Sequence, residues 1–247
     1  MTLSNFFKIN KRAALAFSGG VDSAYLLYAA VENKADIKPY LVKTPFVPDF
    51  AVRDAVKIGK ILGIKIEIID LDILSDADIC SNTEMRCYFC KLAMLRYVKT
   101  SAKKDGYDLI IDGTNADDNA ADRPGMAAAA EMGVISPLRE CGLSKSEIRC
   151  LSKKAGLFTW DKPSYSCLAT RIYKGEKITS VVLADIEKAE SFLFKLGFSD
   201  FRVRLYNKSA RIQLKEEQMP LFAEKRKEIL MALKPIFHDV VLDLNTR

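Results

Sequence analysis

Ser18-Gly19-Gly20-Val21-Asp22-Ser23 follows the short apolar run Ala13-Ala14-Leu15-Ala16-Phe17 and precedes a helical pattern. The order is strand, glycine turn, helix start. Two glycines let the backbone approach a bound anion with no Cβ in the way. The N–H groups at the next helix's N-terminus, at its positive dipole end, then hold that anion. Ser18 and Ser23 add hydroxyl donors. No Gly-Lys-Ser/Thr follows, so the loop is not a Walker A. A tight turn with a capped helix is the alternative reading of the same residues.

Working outward, roughly the first 170 residues alternate short apolar runs with helical patterns, the signature of an α/β domain with a parallel sheet. The pattern predicts strands at 13–17, around 40–42, at 64–69 and at 109–111. After the loop, Ala24, Leu27, Tyr28 and Val31 share a helix face. Asp49 is placed to cap a second helix carrying Ala51, Ala55, Ile58 and Leu62, ended by Gly63. A helix runs from near Cys90 to about Lys104, a short one covers 127–132, and Ser144 with Glu147 makes a capping box. The fourth strand ends in Asp112-Gly113-Thr114-Asn115.

Residues 160–175 are aperiodic and read as a loop and hinge. Beyond them the order is helix 181–196, a hairpin of 201–206 and 210–214 turning at Asn207-Lys208-Ser209, helix 216–233 with Pro220 near its start, and strand 237–242. The expectation is an α/β domain over 1–174 and a small α+β domain over 175–247.

The hydrophobic fraction of 49% supports a real core, and no apolar stretch approaches the ~20 residues that span a bilayer. The first ten residues lack a signal-peptide core, so the expected location is the cytoplasm, with no membrane partner. The net charge of +6 suits polyphosphate or acidic ligands, and no Lys/Arg tract is dense enough to serve as a nucleic-acid arm. The single histidine, His238, near the end, is given no catalytic role.

Six cysteines are spread along the chain. In a reducing compartment they are not expected to form structural disulfides, and Cys80, Cys141 and Cys150 read as packing residues. Arg86-Cys87-Tyr88-Phe89-Cys90-Lys91 contains a C-x-x-C, which fits a redox dithiol, a zinc half-site or an iron–sulfur half-site. Zinc wants four ligands, whereas Cys87, Cys90 and Cys167 supply three, a natural set for a [4Fe–4S] cluster with one iron left open. Packing at a helix start is the competing reading. Cys167 lies in a polar loop between Lys162 and Arg171, an electropositive setting that favours the nucleophilic thiolate. Such a thiolate can attack an activated acyl group.

Taken together these segments resemble the PP-loop ATP pyrophosphatases, whose fold is the adenine nucleotide alpha hydrolase type, and within them the LarE-type sulfur transferases of nickel-pincer nucleotide biosynthesis. The resemblance runs through Ser18–Ser23, Arg86–Lys91, Asp112-Gly113-Thr114-Asn115 with Asp118, Arg123-Pro124-Gly125 and Ser136-Pro137-Leu138. It continues through Trp160-Asp161-Lys162-Pro163, Cys167-Leu168-Ala169-Thr170-Arg171, Arg202-Val203-Arg204 and Ala210-Arg211-Ile212.

It implies that ATP adenylates a carboxylate of a pyridinium-3,5-dicarboxylate mononucleotide, releasing pyrophosphate, and that sulfur then replaces AMP. The family uses either one sacrificed cysteine or a three-cysteine [4Fe–4S] cluster carrying extra sulfide. The C-x-x-C points to the cluster type, with Cys87, Cys90 and Cys167 as iron ligands and Cys167 in the sulfur step. The implied partners are the nucleotide substrate, a sulfide source or desulfurase, and further copies of the chain.

On this resemblance Ser18, Gly19, Gly20 and Ser23 hold the ATP phosphates and Asp22 serves catalysis beside Mg²⁺. Asn115 and Asp118 lie past a strand's C-terminal end, where α/β sheets bind ligands. Arg171, Arg202 and Arg204 are placed to clamp phosphate and carboxylates. Arg202 and Arg204 alternate by two and share a strand face, which is otherwise an ordinary solvated face. Glu190 is a weaker metal candidate, since most helix glutamates are simply exposed. The competing functions are tRNA thiolation, which usually brings an added RNA-binding module, a non-catalytic Fe–S or nucleotide-binding module, and an ammonia-using synthetase.

Overall fold

β1 (Arg12–Ala16) is buried at Ala13, Ala14 and Leu15, as befits a strand with a parallel neighbour on each side. Those neighbours are β2 (Asp36–Lys43) and β4 (Ile110–Asp112), and β3 (Glu67–Asp70) pairs with the far edge of β2. The order is β3-β2-β1-β4, all parallel. This is the expected α/β architecture. The computed structural model describes residues 1–119 and 124–246, so Arg123 of the Arg123-Pro124-Gly125 stretch lies outside the described residues.

The chain divides into two compact units, Met1–Ile73 with Met85–Lys162, and Leu74–Glu84 with Pro163–Arg247. In the first, α2 (Val21–Glu32) follows β1 and buries Ala24 and Leu27 on the face that the sequence spacing marks. α3 (Asp49–Leu62) ends at Gly63, where the Ile64 N–H donates to the Gly59 carbonyl at 2.8 Å. That helix exit consumes the start of the expected strand 64–69 and leaves only β3 paired. Asp49 is the first helical residue, with Pro48 at the cap position. The sequence pattern does not announce α1 (Leu3–Ile9), whose Phe6 and Phe7 are buried in the core of this unit.

The second unit has its own core, in which Leu193, Phe198, Val203, Ile212 and Leu233 are buried. Its helices are the short α4 (Ala77–Cys80), α9 (Ser180–Lys195) and α10 (Met219–Leu233), with Pro220 in the first turn of α10. β5 (Arg202–Tyr206) and β6 (Ser209–Gln213) form the antiparallel hairpin, turning through Asn207 and Lys208, both at positive φ as a tight hairpin turn requires. β7 (Val240–Leu242) then pairs parallel with β6. Leu74–Glu84 joins this unit through Gly175 N–H to Asn82 O at 3.0 Å and Ile178 N–H to Cys80 O at 2.9 Å. Among the described residues no helix is long and apolar enough to cross a membrane.

Where β4 ends, a Cβ on Gly113 would lie 2.8 Å from the Ser23 backbone nitrogen and 3.0 Å from its Cα. Backbone atoms at the start of α2 cannot yield as a side chain can. Gly113→Ala is therefore expected to cost ~1–3 kcal/mol, the usual range for overpacking. Gly125→Ala in α6 (Pro124–Glu131), whose Cβ meets nothing closer than 3.5 Å, serves as the contrast. It should stay within about 0.5 kcal/mol of wild type or gain stability. Urea unfolding of both variants tests the pair.

Candidate functional site

Strands β1, β2 and β3 build outward on one side of β1 and β4 adds on the other, so the sheet order reverses between β1 and β4. The crevice beyond the C-terminal ends at such a reversal is where open α/β sheets bind ligands. Ser18-Gly19-Gly20 leaves β1 at this place. Gly19 has φ +74° and sits tight against α3, with a Cβ position 3.0 Å from Ala55 Cβ and 3.2 Å from the Ala51 carbonyl. Both facts require glycine. Gly20 precedes α2 without a side-chain cap, and an uncapped N-terminus presents N–H donors to an anion.

The two serines knit this turn. The Ser23 hydroxyl, 3% exposed, donates to Gly20 O at 3.2 Å and lies 3.0 Å from Ser18 Oγ. Ser18 is the exposed member. Asp22, in the first turn of α2, pairs through Oδ2 with Lys145 Nζ at 2.5 Å, while its Oδ1 is buried with no hydrogen-bond partner. An acceptor left buried in this way costs free energy unless something occupies it. It is the kind of oxygen that Mg²⁺ ligates, so the residues here fit the metal that accompanies a polyphosphate.

Lys145 opens α8 (Lys145–Lys154), and its backbone N–H donates to Asp117 Oδ2 at 2.7 Å. The sequence reading overlooked it. The signal was the Ser144–Glu147 capping box, which the structure contains and which makes Lys145 the first helical residue.

The loop after β4 is self-bonded. Asp112, 3% exposed, accepts from Thr114 N–H at 3.1 Å and pairs with Lys91 at 3.4 Å. It also accepts at 2.8 Å from the hydroxyl of Ser136, the residue before the short α7 (Pro137–Glu140). Asn115 is buried, and its side-chain oxygen accepts from Asp117 N–H at 2.9 Å. Asp118 accepts from Asn115 N–H at 3.0 Å. Asn115 and Asp118 thus fix the loop that carries Asp117 to Lys145.

Cys87 and Cys90 stand on α5 (Arg86–Lys104), which begins a turn earlier than the sequence pattern suggests. Arg86 is buried there, and Phe89 N–H bonds to Met85 O at 3.1 Å, extending the helix back past the pair. At three residues apart the two cysteines share a helix face. Cys87 is exposed and receives a contact from the Arg86 guanidinium at 3.4 Å, whereas Cys90 is half-buried beside Met94. Cys80 is buried, and Cys141 packs on the main core, where burial pushes its thiol up. Cys150 departs from the expectation of packing. It is exposed on α8, on the opposite side from buried Ile148 and Ser152.

In the second unit Cys167 is half-buried at the start of a single tight turn, Leu168–Arg171, and its carbonyl accepts from Thr170 Oγ1 at 2.7 Å. Three arginines hold this loop. Arg171, with no exposed side-chain surface, donates to Ser166 Oγ at 2.8 Å, Thr170 Oγ1 at 2.7 Å and Glu190 Oε1 at 2.7 Å. Arg202 and Arg204 do share a face of β5, and they donate to Ser164 O at 2.7 Å and Thr170 O at 2.9 Å. Guanidiniums expected to meet ligand anions are engaged here with loop carbonyls, hydroxyls and Glu190.

Glu190 is correspondingly not an exposed helix glutamate. It is 2% exposed and accepts from Arg171, from Val203 N–H at 2.9 Å and from the Tyr165 hydroxyl. Burial, reinforced by the Glu190 charge, pushes the Tyr165 phenol far above the ordinary tyrosine range, so it stays protonated and donates. The Tyr165 ring also stacks against both guanidiniums, at 4.7 Å from Arg171 and 5.1 Å from Arg202.

The structure therefore brings together two sets of residues. Ser18, Gly19, Gly20, Asp22 and Ser23 gather in the first unit with Lys145 and the loop of Asn115 and Asp118. Cys167, Arg171, Glu190, Arg202 and Arg204 gather in the second. Cys87 and Cys90 belong to the first unit and Cys167 to the second. Among the described residues no group of three or more His, Cys, Asp or Glu is set up to hold a metal ion.

A parallel sheet with a Ser-Gly-Gly-Val-Asp-Ser turn at its switch point defines a PP-loop-like α/β protein. No protein-family profile matches the chain. It is 30% identical over 246 residues, 98% of its length and 89% of the relative's, to a pyridinium-3,5-bisthiocarboxylic acid mononucleotide synthase of Lactiplantibacillus plantarum. It is also similar to two uncharacterised proteins. Slr1717 of Synechocystis is 37% identical over 90% of this chain and 83% of its own, and MJ0830 of Methanocaldococcus jannaschii is 30% identical over 91% and 86%. The chain belongs to the LarE-type sulfur transferases, the family of that synthase, and is an enzyme.

The Arg171–Glu190 pair yields a stability test. Removing one member of a buried pair leaves the other charge uncompensated, so Glu190→Ala is expected to cost ~3–5 kcal/mol. The double variant Arg171→Met/Glu190→Leu should recover a large part of that loss. It does not recover all of it, because Val203 N–H and the Tyr165 hydroxyl lose their acceptor. Chemical denaturation of the three proteins measures both numbers.

Proposed function

We propose that the enzyme adenylates a ring carboxylate of pyridinium-3,5-dicarboxylate mononucleotide with ATP and then replaces AMP by sulfur, leaving a thiocarboxylate. The observation that carries the nucleotide half is the Gly19-Gly20 turn, which joins a positive φ at Gly19 to an uncapped helix start and a buried, unpartnered Asp22 oxygen. The substrate half rests on kinship with a synthase whose name specifies the corresponding bisthiocarboxylate.

In the first step a carboxylate oxygen attacks the α-phosphorus of ATP, and the bond to pyrophosphate breaks. The Gly19–Ser23 backbone and Ser18 hold the phosphates. Asp22 would hold Mg²⁺, which when bound supplies charge neutralisation for a polyphosphate. In the second step a sulfur nucleophile adds to the acyl carbon and AMP departs with both electrons of the broken C–O bond.

Cys167 takes part in this second step, on a loop whose shape Arg171, Arg202 and Arg204 maintain. In the structure the arginines donate to loop atoms, Glu190 and Gln213. Three thiolates, Cys87, Cys90 and Cys167, would hold a [4Fe–4S] cluster, which when bound supplies an open iron able to carry sulfide. The same-face placement of exposed Cys87 and half-buried Cys90 on α5 suits the two-ligand part of that set. A sulfide source or desulfurase would replenish the sulfur.

Two variants separate the steps. Cys167→Ala should abolish thiocarboxylate formation while pyrophosphate release with substrate continues; loss of both would argue against a separate sulfur step. Cys87→Ala should lower iron bound after anaerobic reconstitution and the thiolate-to-iron absorbance near ~400 nm. An unchanged iron content would remove Cys87 as a ligand.

A further inference from the structure

Lys145 has no assigned role, yet its ammonium lies beside the phosphate-binding turn. Its backbone is fixed twice, by the Ser144 capping box and by Asp117 Oδ2, while its side chain spans to Asp22 on α2. The side chain retains 31% exposure against 21% for Asp22. A four-carbon stem on a fixed root can reorient its charge at little cost. Asp22 meanwhile has an unmet acceptor, Oδ1, that Lys145 does not reach. With Oδ2 shared and Oδ1 bare, the carboxylate is under-coordinated on one side, and a divalent cation satisfies it better than one ammonium does.

We propose that Lys145 is a nucleotide-binding residue that exchanges partners, passing from Asp22 to the polyphosphate of ATP when the accompanying Mg²⁺ takes the Asp22 carboxylate. The inference rests on the nucleotide reading above and deepens it. Before exchange, Lys145 neutralises a carboxylate that would repel the incoming phosphates. After exchange, it adds a charge-assisted contact to them. A fixed structural ion pair, by comparison, would contribute to folding and leave nucleotide affinity alone.

Isothermal titration with ATP, with a non-hydrolysable ATP analogue and with adenosine, with and without Mg²⁺, tests the exchange. Lys145→Gln should weaken ATP and analogue binding about tenfold, the effect of losing one charged hydrogen bond, and leave adenosine binding unchanged. Lys145→Arg should restore most of the loss. Unchanged ATP affinity in Lys145→Gln would overturn the proposal, as would equal weakening toward ATP and adenosine.

Asp22→Asn provides an independent reading should Lys145→Gln fold poorly. It should bind metal-free ATP more tightly than wild type, because a repelling charge is gone and Lys145 is released, and it should lose the Mg²⁺ enhancement. Weaker metal-free binding would overturn the exchange. A wild-type protein that binds no ATP would remove the adenylation reading and this inference with it. ATP binding by wild type that is insensitive to Lys145→Gln would remove this inference alone.

Discussion

The turn between β1 and α2 is the constraint on which the rest of the first unit depends. Gly19 adopts a left-handed backbone against α3, and Gly113 passes the other side of the turn at a distance that leaves no room for a Cβ. The α2 N-terminus is thereby wedged between the second sheet connection and the end of β4. Closeness of this kind fixes the donors before any ligand arrives, so little ordering entropy remains to be spent on binding. The same packing puts Asp22 on the first turn of α2 and Lys145 on the first turn of α8, within reach of each other.

The second unit shows a different use of charge. Five polar or charged side chains, Tyr165, Ser166, Thr170, Arg171 and Glu190, close on one another around the Cys167 loop, with Arg202 and Arg204 holding its carbonyls. Such networks are worth most when every member is satisfied, and they then select one conformation of the segment they enclose. A short irregular loop needs that selection, because it has neither a helix ladder nor a sheet to define it. Arg171, four residues after Cys167, thus helps set the loop's geometry.

Much of this was legible in the sequence wherever local chemistry decides the structure. Ser18–Ser23 marked the turn, Gly63 the end of α3, the Ser144–Glu147 box the start of α8, and Asn207-Lys208 the hairpin, each through a backbone preference or a hydrogen bond a few residues long. What escaped was set by partners remote in the chain. The fate of Glu190 depends on Arg171 and on Val203 N–H, and an isolated helix glutamate gives no hint of burial. Arg202 and Arg204 alternated as anticipated, but their partners, Ser164 O and Thr170 O, lie more than thirty residues away. α5 begins at Arg86, which is buried although a sequence pattern counts it as polar. Lys145 carries no signal of its own in the sequence, because its place beside Asp22 depends on α8 lying on α2. Membership of Leu74–Glu84 in the second unit likewise rests on bonds from Asn82 and Cys80 to residues about ninety positions on.

The central claim is that a carboxylate is activated by transfer of the adenylyl group before sulfur enters. Oxygen-18 in the carboxylates of the pyridinium substrate tests it most directly, with the enzyme, ATP, Mg²⁺ and sulfide supplied anaerobically and AMP analysed by mass. Attack of the carboxylate on the α-phosphorus followed by C–O cleavage predicts one labelled oxygen in AMP for each thiocarboxylate formed, with pyrophosphate in equal amount. Thiocarboxylate formed alongside unlabelled AMP, or with ADP and phosphate as the nucleotide products, would contradict the account.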